Sequence, residues 1–513
     1  MTRGEAPERE LELVFALAGP VGADLQEVSR TLADALKKCD YHEVEEISVG
    51  ALLRQIAARR TLTNAGGQTF SLLDRPEEKR IASYMDGGNA VRRLASNPAA
   101  VASAAIAEIR GRRQQHGGVP TRRAYVLRSL KRPEEVHLLR RVYGPGFFLL
   151  GVNVPRPVRV ESLARRFAKS HNETAASPNF ATHAAEAEAL ARRDEEESAD
   201  EYGQRLRDVF QLCDLFVSPI AATSLFEQVD RFVRLILGDL GETPWADEQF
   251  MFQAYAASLS SGALGRQVGA VLVSPENEVL GIGWNDVPKA GGGLYRAGEN
   301  YDRRDIHQDR DSVNVHAEQI LSELLDLAER AGWPKLDDAR EVFKKSRVMS
   351  LLEFGRTTHA EMEAVLAAGR IGVTPREATL YTTTFPCHQC ARLIVNAGVR
   401  RVVYIEPYPK SRALELHRDA IYAYDDTAAP HERAVRFEPF LGIAPHRYID
   451  LFSLTTRAGI ARERKTKTSG ERIRWDAKTS LPKVEMLPMS YLDLEAKALY
   501  QLKKFIGPEK DAR

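Results

Sequence analysis

Two short motifs in the second half of the chain carry residues that bind metal ions. His359 opens the triplet His-Ala-Glu, and 28 positions later Cys387 is the first cysteine of a Pro-Cys-x-x-Cys motif that ends at Cys390. One imidazole and two thiols suit a tetrahedral zinc ion, and a site with three protein ligands leaves the fourth position open, as catalytic zinc sites do. We therefore predict that His359, Cys387 and Cys390 bind catalytic Zn²⁺.

Glu361, the third residue of the triplet, is predicted to be the catalytic acid/base. It lies two positions after the histidine, so its carboxylate should reach a water molecule at the open position rather than the metal. A carboxylate placed there can take a proton from water and deliver it to a ring nitrogen and a leaving amine. A helix that begins at Cys387 would place both cysteines one turn apart, with its dipole favouring thiolates.

Two alternatives concern the ligands themselves. In one, the zinc is structural and His388 is the fourth ligand, although a histidine inside the Cys-x-x-Cys is awkwardly placed for that role. In the other, the earlier triplet His316 to Glu318, 43 residues upstream, supplies the ligand. We favour His359 because a compact helix, loop and strand lead from it to Cys387, whereas His316 requires an additional insertion.

The elements around these motifs predict an α/β domain over residues 241–455. Two apolar runs, 268–274 and 279–285, flank a Pro-Glu-Asn-Glu turn and indicate a β-hairpin. The other predicted elements are helices at 247–260, 359–368 (ending at Gly369) and 387–397 (ending at Gly398), and strands at 378–384 and 401–405.

The first domain, residues 1–240, is predicted to be a parallel α/β domain. Strand candidates alternate with helical patterns, at residues 11–17, 124–130, 147–152 and 215–217. After the first strand comes a turn with Gly19 and Gly22, where backbone N–H groups can bind phosphate. The full phosphate-loop pattern is not met, because residues 23–26 supply no lysine and no hydroxyl.

Two charged stretches receive no catalytic role. The acidic run Asp194 to Glu197 is interpreted as a solvated helix or an insertion. Residues 456–513 are predicted to form a basic tail followed by a helix, since eight basic and three acidic side chains lie between Arg457 and Lys478. We interpret this tail first as a solvated segment and, as the alternative, as a phosphate-binding one.

Composition restricts the class of protein. The chain of 513 residues has 72 Lys and Arg against 71 Asp and Glu, a net charge of +1, which disfavours a dedicated binder of duplex DNA. Four cysteines without a disulfide pattern, a charged N-terminus and the lack of an apolar run of about 18 residues favour a cytoplasmic protein with no membrane partner.

Four segments of the second domain resemble the cytidine and deoxycytidylate deaminase superfamily. They read GRQVGAVLVS, GIGWND, THAEMEAV and FPCHQC, in that order, over residues 262–392, and H-x-E with P-C-x-x-C is typical of zinc nucleobase deaminases. The resemblance implies a three-layer α/β/α sandwich with a mixed five-stranded sheet, and Asn285 as a contact to a sugar hydroxyl. The alternative for Asn285 is that it caps the turn after the hairpin.

Substrate phosphates require cations near this site. The candidates are Arg266, before the hairpin, and Lys410 and Arg412, after the strand that ends in Ile405-Glu406-Pro407-Tyr408. The alternative for each of them is a solvated surface charge.

The order of the two domains resembles the bacterial anti-phage dCTP deaminases, in which an N-terminal P-loop-kinase-like domain precedes a deaminase domain. The stretch RFEPFLGIAPHRYIDLF, residues 436–452, is similar to the end of their deaminase domain. This resemblance implies deamination of dCTP or dCMP to deoxyuridine nucleotides, which depletes a precursor of phage replication, and it implies a homo-oligomer. The incomplete glycine loop indicates a regulatory, sensing or assembly role for the first domain rather than kinase activity.

Two other functions stay open at the level of sequence. A polynucleotide deaminase acting on tRNA or single-stranded DNA would use the basic tail for phosphate contacts. A non-catalytic nucleotide- or RNA-sensing regulator would use zinc only to hold its fold. For the enzyme, free deoxycytidine nucleotides are the expected partners, and an RNA or nucleotide regulator is expected because constant loss of dCTP would be harmful.

Overall fold

The computed structural model describes residues 11–118, 122–197, 200–308, 312–333, 339–344, 346, 354–408, 410–423, 431–456, 459–483 and 491–506. The chain divides into two compact units: the first comprises Met1–Trp245 and Leu441–Arg513, and the second comprises Ala246–Phe440. Arg457, at the start of the predicted basic tail, lies outside the described residues. A search of the described helices finds none that is long and apolar enough to cross a membrane.

The elements follow one another along the chain in three groups. The first segment of unit 1 contains β1 (Leu13–Ala18), α1 (Leu25–Lys38), β2 (Glu43–Ser48), α2 (Val49–Ala57), β3 (Leu62–Thr63), β4 (Thr69–Phe70), α3 (Glu77–Leu94), α4 (Ala100–Gln115), β5 (Arg123–Arg128), α5 (Pro133–Tyr143), β6 (Phe147–Val152), α6 (Arg156–Ser170), α7 (Phe180–Glu195), α8 (Leu206–Phe210), β7 (Leu215–Val217) and α9 (Leu225–Ile236). Unit 2 contains α10 (Ala246–Ser258), β8 (Gly269–Val273), β9 (Val279–Trp284), α11 (Ser312–Arg330), α12 (Ala339–Phe343), α13 (Ala360–Arg370), β10 (Thr379–Thr384), α14 (His388–Asn396), β11 (Arg401–Glu406), α15 (Ala413–Leu416), β12 (Ile421–Ala423) and β13 (Val435–Pro439). The second segment of unit 1 contains β14 (Gly442–Ile443), α16 (Tyr448–Phe452) and α17 (Leu492–Ile506).

Unit 1 is built on a sheet with the strand order β14-β7-β6-β1-β5-β2. β1 lies inside this sheet and pairs in parallel with β5 and β6, and all six of its residues are buried. Strands covered on both faces are continuous apolar runs, which is why residues 11–17 and 147–152 could be recognised in the sequence. The predicted parallel α/β architecture of this unit is confirmed.

The end of the chain returns to unit 1. β14 pairs antiparallel with β7, and His446 and Arg447 donate hydrogen bonds to the fully buried Asp214. Residues 441–513 therefore group with the first unit, because a strand pair and buried ionic contacts hold them there. This differs from the predicted domain end at 455 and from the prediction of residues 456–513 as a separate tail.

The boundary between the first segment of unit 1 and unit 2 also lies later in the sequence than the predicted residue 240. Residues 241–245 stay with unit 1, where the guanidinium of Arg231 lies 4.1 Å from the centre of the Trp245 ring. The glycines near residue 240 mark the end of α9 rather than the end of the unit.

Unit 2 is built on a mixed sheet with the strand order β12-β13-β11-β10-β8-β9. β8 and β9 form the predicted antiparallel hairpin, and β10 pairs antiparallel with β8 and parallel with β11. Among the described residues the sheet has six strands rather than the implied five, because the short strand β12 adds to β13 at the edge.

Helices cover both faces of this sheet. α13 and α14 pack on one face, in a core that includes Ala364, Ala391 and Leu272. α10 packs on the other face, where the rings of Phe250 and Tyr381 lie 5.4 Å apart. The three-layer α/β/α arrangement is confirmed.

Two glycines of β9 allow α13 to lie close to the sheet. A Cβ at Gly281 would be 2.1 Å from the Ala364 carbonyl oxygen, and a Cβ at Gly283 would be 2.1 Å from that of Ala360. α13 continues to Arg370, so its predicted end at Gly369 is wrong. The glycine with left-handed backbone is Gly372, φ +80°, which follows the last turn.

Candidate active site

Two helix N-termini form the candidate site of unit 2. His359 is the N-cap of α13, and Cys387 is the N-cap of α14, where its sulfur accepts a hydrogen bond from the Cys390 N–H. Thr358, next to the histidine, pairs with Asp286 in an isolated antiparallel bridge. The start of α13 is thereby tied to the segment that follows the hairpin.

His359, Cys387 and Cys390 converge, as the sequence predicts. Nδ1 of His359 lies 3.3 Å from the Sγ atoms of both cysteines, and the three atoms lie within 4.8 Å of one another. Within the described part of the chain, this is the one group of three or more His, Cys, Asp or Glu side chains that could hold a metal ion. An imidazole nitrogen and two sulfurs that meet in a largely buried position fit zinc.

The protonation of the three donors is coupled. A hydrogen bond with Cys390, aided by His359 and opposed by burial, lowers the pKa of Cys387 to about 4. The hydrogen bond with Cys387 raises the pKa of His359, whereas burial raises the pKa of Cys390 well above its usual value. The donors thus compete for protons, and a divalent cation replaces such protons when it binds.

Glu361 lies inside the site and is 4% exposed. Its Oε2 accepts a hydrogen bond from the Cys390 thiol at 3.4 Å. Burial raises the pKa of Glu361, which moves it toward the range where a carboxyl group can take up and release a proton near neutral pH. The geometry therefore suits the predicted acid/base role, which stays a prediction.

Neither His316 nor His388 belongs to this group of three donors. His316 is on an exposed part of α11, with Nδ1 3.0 Å from Oε1 of Gln319, and Glu318 pairs with Arg340. The choice of His359 over His316 therefore agrees with the geometry.

Asn285 holds the end of the hairpin. Its Oδ1 accepts a hydrogen bond from the Val268 N–H at 2.7 Å, and its Nδ2 donates to the Arg266 carbonyl oxygen at 2.8 Å. Both ends of the amide thus contact the backbone before β8, so these bonds join the two outer ends of the hairpin and do not cap the turn after it. The contact to a sugar hydroxyl stays a prediction.

The three predicted phosphate ligands differ in their surroundings. Arg266 forms an exposed ion pair with Glu406 at 3.2 Å. Arg412 pairs with Glu415 of α15, and Lys410 is exposed.

Sequence reasoning missed two residues near the cysteines. Ser411 Oγ donates a hydrogen bond to the Pro386 carbonyl oxygen at 2.7 Å, which places Ser411 against the start of α14. Tyr408 packs against the core that includes Cys387 and Cys390, and burial, aided by the charge of Cys387, raises the pKa of its phenol. The available signal was the position of Tyr408 two residues after the end of β11.

The glycine turn of unit 1 has the predicted form. Gly19 and Gly22 lie between β1 and α1. Gly22 has φ +91°, and a Cβ on it would lie 2.9 Å from the Arg159 carbonyl oxygen, so this position requires glycine. The binding of phosphate by this turn stays a prediction.

One family model matches the chain, and it covers the candidate site. Residues 245–406 match the "Cytidine and deoxycytidylate deaminase zinc-binding region". The matched region contains His359, Glu361, Cys387 and Cys390. The match and the converging donor atoms together support zinc as the cofactor of this site.

Sequence relatives match over short stretches. ComE operon protein 2 of Bacillus subtilis (strain 168) is 45% identical over 53 residues, which are 10% of this chain and 28% of that protein. The deoxycytidylate deaminase of Enterobacteria phage T4 is 43% identical over 54 residues, 10% of this chain and 28% of that protein. The deoxycytidylate deaminase of Homo sapiens is 25% identical over 158 residues, 31% and 63% of the two chains. The chain thus spans less than a third of the length of the first relatives that it matches.

Two solved structures illustrate the likeness in shape. The dCMP deaminase from the cyanophage S-TIM5, in complex with dCMP and dUMP, is 19% identical with a TM-score of 0.23, over 39% of this chain and 99% of that chain. A gluconokinase from Sinorhizobium meliloti 1021 is 12% identical with a TM-score of 0.20, over 44% and 95% of the two chains. With TM-scores this low, neither likeness bears on the function of this chain.

Proposed function

We propose that this protein is a zinc-dependent hydrolase that deaminates deoxycytidine nucleotides, dCTP or dCMP, to deoxyuridine nucleotides. The convergence of His359, Cys387 and Cys390 beside the buried carboxyl group of Glu361 carries the proposal. The match to the deaminase zinc-binding region supports the reaction class. The deoxycytidylate deaminases among the relatives favour a deoxycytidine nucleotide as the substrate.

Glu361 moves the protons of this reaction. When bound by His359, Cys387 and Cys390, zinc supplies Lewis-acid activation of water. Glu361 takes one proton from the attacking water and transfers it to a ring nitrogen of cytosine, and it then carries the second proton, from the new hydroxyl group at C4, to the departing amino group. The C4–O bond forms, the C4–N bond to the amino group breaks, and ammonia leaves.

The substrate's phosphates lie, in this proposal, beside the start of α14. Ser411, between Lys410 and Arg412, contacts the residue before the N-cap of that helix, and Arg266 pairs with Glu406 at the end of β11. Arg266, Lys410 and Arg412 supply the positive charge, while Asn285 contacts the sugar.

We also propose that the reaction serves antiviral defence by lowering the dCTP concentration. The resemblance in domain order to anti-phage dCTP deaminases supports this role. Cells that express the wild-type chain should contain less dCTP during phage infection than cells that express Glu361→Gln. Equal dCTP concentrations and equal phage yields in the two strains would contradict the role.

The reaction itself is tested with the purified, zinc-loaded full chain. Mass spectrometry follows the conversion of dCTP, dCMP, CTP, deoxycytidine and a cytosine-containing oligonucleotide. We expect conversion of dCTP or dCMP, and a fall of about 10²- to 10⁴-fold in Glu361→Gln, the size of a lost acid/base contribution. Zinc content should be the same in both proteins.

Glu318→Gln is the matched control, because it makes the same change in the other His-Ala-Glu triplet at a position outside the donor cluster. It should retain full activity. Conversion of the oligonucleotide alone would replace our proposal with a polynucleotide deaminase. No conversion of any substrate, with zinc bound, would contradict the enzymatic function.

A further inference from the structure

A fully buried carboxylate of unit 2 lies outside the group of zinc donors. Asp286 follows the hairpin, and its side chain is fully buried. Its Oδ2 accepts a hydrogen bond from the Gly262 N–H at 2.9 Å, and its Oδ1 accepts one from the Val287 N–H at 2.8 Å. Aspartate is almost never buried this completely unless it is paired or hydrogen-bonded, so the position calls for an explanation.

The two donors explain why position 286 carries a carboxylate. Gly262 and Val287 each present a backbone N–H to a different oxygen of the side chain. An ionised carboxylate accepts hydrogen bonds at both oxygens, whereas asparagine would accept at one and turn its own NH₂ group toward the other N–H. Because the two side chains have nearly the same size, Asp286→Asn tests the acceptor rather than the volume.

The negative charge of Asp286 faces a buried cation. Arg304 is 8% exposed and pairs with Asp302 at 2.7 Å. Nη1 of Arg304 and Oδ2 of Asp286 each lie 3.4 Å from the point where a Cβ on Gly262 would be. Gly262 therefore leaves the space across which the guanidinium and the carboxylate face each other, and their attraction offsets part of the cost of burying both charges.

The backbone of Asp286 connects this carboxylate to the zinc ligand His359. The Asp286 N–H donates to the Thr358 carbonyl oxygen at 3.2 Å, and the Thr358 N–H donates to the Asp286 carbonyl oxygen at 2.8 Å. Thr358 is bonded covalently to His359, which is the N-cap of α13. The side-chain hydrogen bonds therefore hold the backbone of residue 286, and this backbone holds the residue before the zinc ligand.

A second contact holds the same approach to α13. The guanidinium of Arg356 lies 3.4 Å from a carboxylate oxygen of Asp305 and donates to the Arg303 carbonyl oxygen at 3.3 Å. Residues 303–305 include Arg304, the cation that faces Asp286. The carboxylate of Asp286 thus lies beside both segments that contact residues 356–358.

We propose that Asp286 is a positioning residue of the zinc site, whose carboxylate fixes the location of His359 through Thr358. In this role it contacts neither the metal nor the substrate, but sets the position from which the imidazole meets Cys387 and Cys390. Its effect on turnover rests on the proposed deamination, whereas its effect on zinc binding does not.

Competition for zinc with a chromophoric chelator tests this role in the full chain. Asp286→Asn should bind zinc about 10- to 100-fold more weakly than wild type, as is typical when a residue that orients a metal ligand is replaced. The cobalt-substituted variant should also show altered d–d absorption bands, because these bands report the geometry of the metal ligands. Wild-type zinc affinity together with an unchanged cobalt spectrum would overturn the role of Asp286.

Two control variants separate positioning from a general loss of stability. Tyr381→Phe removes the hydrogen bond to Asp247 on the face of the sheet covered by α10, so it should lower the melting temperature without changing zinc affinity or the cobalt spectrum. Glu299→Gln removes a carboxylate from the same segment as Asp286, where it pairs with Lys289, and should change neither property. Zinc binding weakened in either control as much as in Asp286→Asn would show that the role is not specific to Asp286.

A measurement on the wild-type chain covers the case in which Asp286→Asn does not fold. Linkage is reciprocal, so if the hydrogen bonds of Asp286 favour zinc binding, zinc must stabilise those hydrogen bonds. Hydrogen–deuterium exchange should therefore be slower with zinc than without it in peptides that contain Gly262 or Val287. Peptides that cover the hairpin turn at residues 275–278 should exchange equally in both states. Equal exchange at Gly262 and Val287 with and without zinc overturns the positioning role.

These measurements use no nucleotide. They locate the effect at the zinc ligand even if none of the tested substrates is deaminated, and an unchanged zinc site in Asp286→Asn leaves the proposed function standing. The two proposals can therefore fail independently.

Discussion

At the scale of single residues, burial separates side chains that the sequence makes look alike. Glu361 and Glu318 both follow a histidine in a His-Ala-Glu triplet. Glu361 is buried beside the Cys390 thiol, and burial raises its pKa. Glu318 instead pairs with Arg340 near the surface, where solvent screens the interaction. The chemistry thus depends on the surroundings of the triplet rather than on the triplet itself.

The cysteines are also residues of one type in different surroundings, and this gives a first prediction. Cys390→Ala should remove the bound zinc, because two ligands hold the ion too weakly to survive gel filtration. Elemental analysis of the purified protein measures the zinc content. Cys213→Ala is the control, since Cys213 is also a buried free thiol but lies in unit 1. Zinc retained by Cys390→Ala, or lost from Cys213→Ala, would contradict the assigned ligands.

At the scale of elements, the distance between α13 and β9 positions His359 and Glu361. The Ala360 carbonyl oxygen lies where a Cβ on Gly283 would be. Gly283→Ala should therefore destabilise the protein by about 1–3 kcal/mol through overpacking and reduce deamination further by moving the start of α13. Thermal unfolding and the mass-spectrometric assay measure the two effects.

Gly369→Ala is the control for this helix. A Cβ at Gly369 meets nothing within 4 Å, and alanine is a better helix former than glycine by up to about 1 kcal/mol. The change should leave the melting temperature equal or higher and the activity unchanged. Our account of the helix–strand distance fails if Gly283→Ala is as stable and as active as Gly369→Ala.

Elements that consist of one uninterrupted apolar run could be predicted from the sequence. β6 and β7 match their predicted ranges, since each is a short apolar run bounded by polar residues or turns. β14 has only two residues, and its pairing with β7 joins positions more than 200 residues apart, so no local pattern indicates it. The interpretation of Asp194 as part of a solvated segment is wrong for the same reason: the residue is fully buried, and its partners Val21 and Lys131 are distant in sequence.

The residues of the candidate site also differ in whether a local sequence pattern predicts them. The zinc ligands and Glu361 follow from residue type and spacing. The positions of Tyr408 and Ser411 depend instead on their contacts with the core around Cys387 and with the Pro386 carbonyl oxygen, which spacing alone does not reveal.

At the scale of the whole molecule, Asp214 links the two chain segments of unit 1. Burial alone would raise its pKa, but the hydrogen bond with His446 and the charges of Arg447 and Arg140 outweigh burial and hold the pKa well below its usual range. The carboxylate also accepts a hydrogen bond from the Leu149 N–H at 2.7 Å. Asp214 thus connects the core of the sheet to the segment after β14.

Removal of the negative charge of Asp214 should destabilise unit 1. Asp214→Asn should lower the free energy of unfolding by about 3–5 kcal/mol, because it leaves cations without their buried partner. Urea unfolding at pH 7 measures this loss. Asp208→Asn is the control, since Asp208 is more exposed and forms an i,i+3 pair with Arg205; it should change stability by less than about 1 kcal/mol. Equal effects of the two changes would contradict the role of Asp214.

The low pKa of Asp214 also predicts a dependence on pH. A carboxyl group whose pKa is lower in the folded than in the unfolded state contributes its full stabilisation above the unfolded value, about 3.9 for aspartate. That contribution is lost as the pH falls below this value toward the folded pKa. The difference in unfolding free energy between wild type and Asp214→Asn should therefore shrink as the pH falls below 4. A difference that grows below pH 4 would contradict this assignment.

The interruption of unit 1 by Ala246–Phe440 has a consequence for how the protein is made. On the ribosome the chain emerges from its N-terminus, and domains fold as units during synthesis. The whole of the zinc-binding unit is therefore translated before β14, His446 and Arg447 exist. A nascent chain acquires its zinc ligands first and closes the sheet of unit 1 last, so that premature termination after residue 440 yields the deaminase-like unit attached to an unfinished partner.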